Sequence, residues 1–354
     1  MPSYDVVIAG AGIAGACAAL ALSRDCEVLV VEADEPAAGA SGAAAGLVNP
    51  LMGRKAKAVW RIEQALTGFM HTLADAGAEA LFHDTGVLRP TVEEKQVQFF
   101  QDALARHGDY AEWLPDAAVR ERFPAAQTCG GALWIPRGGA IDVTAFVRAV
   151  LAAAQKQGAT LQTGARVADW TEEEKSVRVE IKTAEGSGGV TAGRLVLAIG
   201  YGYTAHPAIE ALGLHGVKGQ TVRVRQPAGI GPLIPMSGRG YIVPEGDTLI
   251  LGSSYDHDFD DLTPSPEQTA YIQEKTARML PAVADAEVVD VQAGVRVYAD
   301  DSNLPLLGPL PGHDRTWAFT ALGSKGLLTA PHIARRLPAY LDDPAAIPES
   351  LYAL

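Results

Sequence analysis

Cysteine is scarce in this chain, with three in 354 residues, Cys17, Cys26 and Cys129. They are too few and too scattered for a disulfide framework or a cysteine-ligated zinc, which points to a reducing, cytoplasmic setting. The eight histidines fall at no metal-binding spacing, and Asp256-His257-Asp258 reads as a polar loop rather than a ligand set. No G-x-S-x-G elbow and no nucleophilic cysteine motif is present. Positive charge is also short: 29 Lys and Arg against 42 Asp and Glu leave a net charge of −13. Such a balance disfavours a polyanion partner unless the basic residues cluster. Arg54, Lys55, Lys57 and Arg61 form the one local cluster, which equally suits a solvated helix face. The uncharged run Val6 to Leu22 is short for a membrane span, and no Lys or Arg precedes it as a signal peptide requires. Neither a membrane span nor a targeting segment is expected there.

What remains is an ordinary folded composition, 48% hydrophobic and 20% charged, long enough for two domains or one large α/β unit. The first 34 residues carry the clearest signal. Tyr4 to Ala9 reads as a buried parallel strand, GAGIAG follows at 10–15, Ala16 to Arg24 as a helix, and Glu27 to Glu32 as a second strand. This context turns a weak G-x-G-x-x-G match into a dinucleotide-binding fingerprint. Gly10 makes the tight turn. Gly12, with Ile13 and Ala14, opens the helix N-terminus to a pyrophosphate, and Gly15 lets helix and strand pack closely. Glu32 with Ala33 ends the second strand, where a carboxylate accepts from ribose hydroxyls and repels a 2′-phosphate. The motif by itself does not separate FAD from NAD. A small-residue loop then runs from 37 to 46 and contains Ser41, Gly42, Ala45 and Gly46 ahead of Leu47. It lets backbone pass against a large planar ligand, where a nicotinamide-binding fold continues promptly into a helix.

At this point the chain resembles the FAD-dependent amine and amino-acid oxidase family that includes D-amino-acid oxidase, glycine oxidase and sarcosine oxidase. In its motifs it looks most like the oxidase domain of the bifunctional bacterial enzyme that matures wobble uridine in tRNA. The resemblance rests on GAGIAG, on GASGAAAGLVNP at 39–50, on LILGSSYD at 249–256, on Gly294-Val295-Arg296 with LPLLGP at 304–309, and on ALGSKGLLTAP at 321–331. These motifs run through nearly the whole chain, though 83 to 135 contains none.

The resemblance implies an α/β fold: a Rossmann-like FAD-binding domain formed by 1–82, 138–215 and 292–354. A discontinuous antiparallel-sheet substrate domain would comprise 83–137 and 216–291. The residue pattern agrees in detail. It predicts a helix over Val143 to Gln157 with Asp142 as N-cap, and short strands at 160–163 and 166–170. Further strands are expected at Val177 to Thr183 and Leu195 to Gly200, with a glycine-rich turn at 185–189. A hairpin is expected around Glu245-Gly246-Asp247, a helix opening at Ser265-Pro266, and one last helix over Leu327 to Tyr340. Glu172 to Lys175 reads as a solvated turn.

The family also implies roles. Arg296 would grip a substrate carboxylate and Tyr241 would hydrogen-bond it. Lys325 would bind substrate or stabilise reduced flavin. The proline usual after the family's arginine is Val297 here, followed by Tyr298. Val167, Ala198, Gly200 and the loop Gly323, Ser324, Lys325, Gly326 and Leu327 would flank the dinucleotide. No cysteine lies near Arg296 or Lys325 in sequence, so FAD is expected to be non-covalent. The leading expectation is oxidation of the C–N bond of a small amine or amino acid, with oxygen or another electron acceptor. Removal of a carboxymethyl group from 5-carboxymethylaminomethyl-uridine in tRNA is the alternative. The acidic charge, and the absence from these 354 residues of that enzyme's methyltransferase domain, stand against it. A non-catalytic FAD-binding protein is the third reading.

Overall fold

The structure, a computed structural model, describes residues 2–231 and 233–351. It is built on two eight-stranded sheets. In the first, Ser3–Ala9 lies centrally, parallel to Val28–Val31 on one side and to the end of Gly186–Leu197 on the other. Thr160–Gln162 and Thr316–Thr320 extend the parallel set outward. Both faces of these strands are covered, which is why they read as unbroken apolar runs. Val6, Ile8, Val30 and Val196 pack on the helices Ile13–Leu22, Ile62–Ala76, Val143–Lys156 and Gly326–Ala334. Val7, Ala9, Val31 and Leu197 face the other way, into a core shared with the antiparallel strands Ala165–Glu172 and Val177–Thr183.

The second sheet contains, in spatial order, Val288–Ala299, Leu214–Arg225, Thr248–Gly252, Tyr241–Glu245, Met236–Ser237, Val87–Pro90, Ala132–Ile135 and Glu112–Leu114. All neighbours are antiparallel except Met236–Ser237 beside Val87–Pro90. One face packs Val222, Ile242, Leu249 and Leu251 against Ile272 of the helix Pro266–Ala277. The opposite face presents Tyr241, Val243 and Ile250 to Ala45 and Leu47 of the small-residue loop. The motif-free stretch 83–135 supplies three of these strands and the helices Glu94–His107 and Asp116–Arg122.

Most expected elements are present, including the Asp142 cap on the Ala145 amide and the Ser265 cap on the Gln268 amide. Four details differ. The glycines at 186, 188 and 189 lie within a strand, and the turn is Ala184-Glu185. The last helix is two, Gly326–Ala334 and Leu337–Asp342, because Pro338 has no N–H to continue the ladder. Glu172 is not a solvated turn residue. Its carboxylate accepts from the Asp314 and Arg315 amides and from the Thr316 hydroxyl, and so fixes the loop before Thr316–Thr320. Finally, Val288–Ala299 runs straight across the boundary expected at 292, and its far end, Val297 and Ala299, is buried in the core of the first sheet.

Candidate active site

The glycine loop has the shape its sequence requires. Gly10 adopts φ +98°, and a Cβ there would run into the Ala198 carbonyl. A Cβ on Gly15 would collide with the Gly10 carbonyl, so helix and strand approach this closely only because residue 15 is glycine. Gly12 precedes Ile13–Leu22 and offers no side-chain cap, leaving the first-turn amides directed outward. Ile13 N–H donates to Ser41 Oγ at 3.1 Å, which ties the small-residue loop to that helix end. Glu32 accepts from Ala11 N–H at 2.6 Å and from Asp34 N–H at 3.0 Å. Its carboxylate therefore stands at the carboxyl end of the sheet beside the glycine loop, where a ribose belongs.

The rest of the expected dinucleotide path is continuous with this end. Ala198 N–H bonds the Ala9 carbonyl at 2.8 Å, and Gly200 adopts φ +52° just beyond. The side chain of Val167 is buried in the core, so only its backbone is available to a ligand. Gly42 and Gly46 press against the Ala37 and Ile141 carbonyls, which leaves Ala43 to Leu47 as a thin wall on the second sheet. Gly294 abuts Ala40 and Ala43. At the far end Gly323, at φ +53°, lies against the Tyr298 ring, and Ser324 hydrogen-bonds that tyrosine. The side chains that would sit on an extended ligand's path are small or absent throughout. The helix-start amides beyond Ile13 would face its phosphates and the Glu32 carboxylate its sugar, so the residues fit a flavin dinucleotide.

On the same side of the second sheet a polar cluster surrounds Arg296. Its Nη1 donates to Ser253 Oγ at 3.2 Å and its Nη2 to the Ser254 carbonyl at 2.8 Å. The guanidinium lies 4.2 Å from the centroid of the Tyr255 ring. Among the described residues it has no carboxylate partner. Asp300, four residues further along the chain, pairs instead with His215 at 2.7 Å. Tyr241 lies in the same cluster, and burial pushes its phenol up to about 12, opposed by the Arg296 charge and the Ser253 hydroxyl. Burial likewise raises the Tyr298 phenol, against the pull of Arg296 and Ser324.

Lys325 stands apart from the Arg296 cluster. Its amine donates to the Asn303 carbonyl at 2.9 Å, with no bond to the Arg296 cluster. Burial lowers its pKa, and the Lys57 charge adds to this. The structure thus brings Arg296 and Tyr241 together around Ser253 and leaves Lys325 on the adjacent loop. Lys275 escaped the sequence reading, and Ser253 and Tyr255 entered it only as part of LILGSSYD, with no role given. The usable signal was Gly219, whose missing side chain makes room for a large neighbour on the paired strand. Lys218 is structural, bonded to the Thr263 carbonyl at 2.8 Å. Asp256, His257 and Asp258 belong to no metal-binding group, and the described residues contain none. No helix among them is long and apolar enough to cross a membrane.

A glycine-rich loop between parallel strands and a helix, with an acid at the next strand's end and a separate sheet over the open side, defines a dinucleotide-cofactor oxidoreductase. Residues 5–339 match the family model described as FAD dependent oxidoreductase, and the chain belongs to that family. Its cofactor is FAD, and it is an enzyme of the amino-acid oxidase type. It is 27% identical over 352 residues to a glycine oxidase of Pseudomonas aeruginosa, covering 95% of this chain and 94% of that one. It is 30% identical over 375 residues to a tRNA 5-methylaminomethyl-2-thiouridine biosynthesis bifunctional protein of Polaromonas, covering 95% of this chain but 56% of that protein. The crystal structure of glycine oxidase from Geobacillus kaustophilus superposes with a TM-score of 0.84 at 24% identity, covering 97% of this chain and 95% of that one, which shows the shared fold.

Proposed function

We propose that this enzyme oxidises the C–N bond of a small amino acid or carboxylate-bearing amine of the glycine, sarcosine or D-amino-acid kind. The observation that carries the reading is Arg296: a half-buried guanidinium, without a carboxylate partner, beside Tyr241 on the sheet face that meets the small-residue loop. A planar fork of donors suits bidentate carboxylate binding. The Arg296 N–H groups and the Tyr241 hydroxyl would hold the carboxylate. Ala45, Leu47 and Val243 would exclude water from the reacting carbon. Bound FAD supplies the hydride acceptor. The chain's own work is to orient the C–N bond and tune the charge around it. Water then hydrolyses the imine product to a carbonyl compound and the released amine.

The test is an anaerobic visible spectrum of the holoenzyme with glycine, sarcosine, proline, D- and L-amino acids and a carboxymethylaminomethyl nucleoside. Bleaching of the flavin band by one amino acid is the expected result. A band that none of the free amino acids bleaches overturns the reading. Comparing oxygen uptake with dye reduction then identifies the acceptor.

The likeness to the tRNA-modifying bifunctional proteins favours a second reading, action on a glycine unit attached to a tRNA base. Much of the basic cluster is already engaged, which weighs against it: Arg54 pairs with Glu93, Lys55 covers Phe99, and Arg61 covers Trp60. Salt-sensitive tRNA binding together with bleaching by the nucleoside alone would select this second reading.

A further inference from the structure

Lys275 is 7% exposed, on the inner face of the helix Pro266–Ala277. Its ammonium donates to the Ser253 carbonyl and lies 4.8 Å from the Tyr271 ring centroid. Among the described residues no carboxylate comes within ion-pair distance of it. The charged groups that face it are cations: Arg296 from the strand Val288–Ala299, and Arg239 from the turn before Tyr241. Arg239 is itself paired with Glu93 at 2.7 Å. Burial, then Arg296 and Arg239, lowers the Lys275 amine to about 8. A buried ammonium with no counter-ion is costly, and it is retained where something else supplies the missing charge.

Ser253 shows what the lysine acts on. Its carbonyl takes Lys275, and its hydroxyl takes one arm of Arg296, with the Tyr241 phenol in the same cluster. The next carbonyl, of Ser254, takes the other arm of Arg296. The same turn is held from the neighbouring strand, where Gln220 N–H donates to Ser254 Oγ at 2.8 Å. Gln220 Nε2 in turn bonds Thr269 Oγ1 on the lysine's helix at 2.7 Å.

We propose that Lys275 is a positioning residue of the carboxylate site: it fixes the turn that seats Arg296 and Tyr241, and it places a second buried positive charge behind Arg296 that an incoming carboxylate neutralises. This rests on the reading of Arg296 as the carboxylate anchor. Linkage follows from the geometry. A carboxylate bound at Arg296 favours the protonated lysine, so the affinity for carboxylates falls once the lysine loses its proton. Tyr241 remains a neutral phenol throughout that range.

The test uses holoenzyme and acetate as the probe, followed through the flavin spectrum. Wild-type affinity is expected to fall roughly ten-fold from about pH 7 to about pH 9.5. Lys275→Met should bind acetate roughly ten-fold more weakly at neutral pH and show no slope, while Lys275→Arg should keep the affinity and lose the slope. Weak binding with the slope retained in Lys275→Met would assign the lysine a merely structural role and overturn the proposal. If Lys275→Met does not retain FAD, the wild-type and Lys275→Arg slopes decide, and a flat wild-type profile overturns it. If acetate does not bind wild type at any pH, the Arg296 reading itself falls. Binding that is independent of pH and unchanged in Lys275→Met leaves that reading standing and removes this one.

Discussion

The guanidinium of Arg296 lies where a Cβ on Gly219 would stand. The two residues belong to paired antiparallel strands, with Val217 opposite Arg296 and Gly219 opposite Gly294. The missing side chain on one strand is the seat of the long side chain on the other. Gly219→Val should therefore push the guanidinium off Ser253 and Ser254. The expected result is a KM for the carboxylate substrate raised about ten-fold or more, with FAD content unchanged. Steady-state kinetics beside the flavin spectrum would check it, and an unaltered KM would show that Arg296 does not hold the substrate.

The glycine loop gives a sharper steric prediction. Gly15→Ala drives a methyl into the Gly10 carbonyl, where backbone on both sides prevents relaxation. FAD retention should drop severely, and the melting temperature with it. Gly188→Ala, in open space on an exposed strand end, should change neither.

His332 predicts an acid limit to stability. Burial, with Arg61 and Arg336, lowers its pKa from 6.5 to about 4. The unfolded chain takes up this proton first, so stability is full above the unfolded value and declines as pH falls from about 6.5 to about 4. The loss is on the order of 3 kcal/mol for this group alone. Urea midpoints across that range should flatten in His332→Gln relative to wild type.

No cysteine lies in the candidate site. Cys17 is buried in the first helix, and Cys129 is exposed beside the second sheet. Acid precipitation should leave the yellow colour in the supernatant. Colour retained in the pellet would require a covalent attachment through another residue.

The local parts of this architecture were legible in the sequence. GAGIAG between two apolar runs states much of its own geometry, because Gly15 and Glu32 are constrained by neighbours within 35 residues, although Gly10 also closes against the distant Ala198 carbonyl. So do the Asp142 and Ser265 caps. Contacts between distant segments were not legible. Glu172 looked like part of a solvated charge run because its partners, 314 to 316, lie far along the chain. The break before Leu337 follows from Pro338, yet the apolar pattern continues through it. Lys275 sits in a helix with ordinary surface composition, and only the turn at Ser253, brought to it by the sheet, marks it out. Lys325 followed a motif, and the motif fixes its loop but not where its flexible side chain turns.

The central placement of Ser3–Ala9 also bears on how the molecule is made. One of its two neighbours, Val28–Val31, is synthesised immediately, whereas the other lies within Gly186–Leu197. Gly10 is shaped against Ala198, and the Gly323 loop comes later still. The glycine loop, made well before Gly186–Leu197, is thus among the last parts of its sheet to be finished. A nascent chain that has not reached Gly186–Leu197 holds an apolar strand with one edge unpaired and lacks the Ala198 carbonyl against which Gly10 closes.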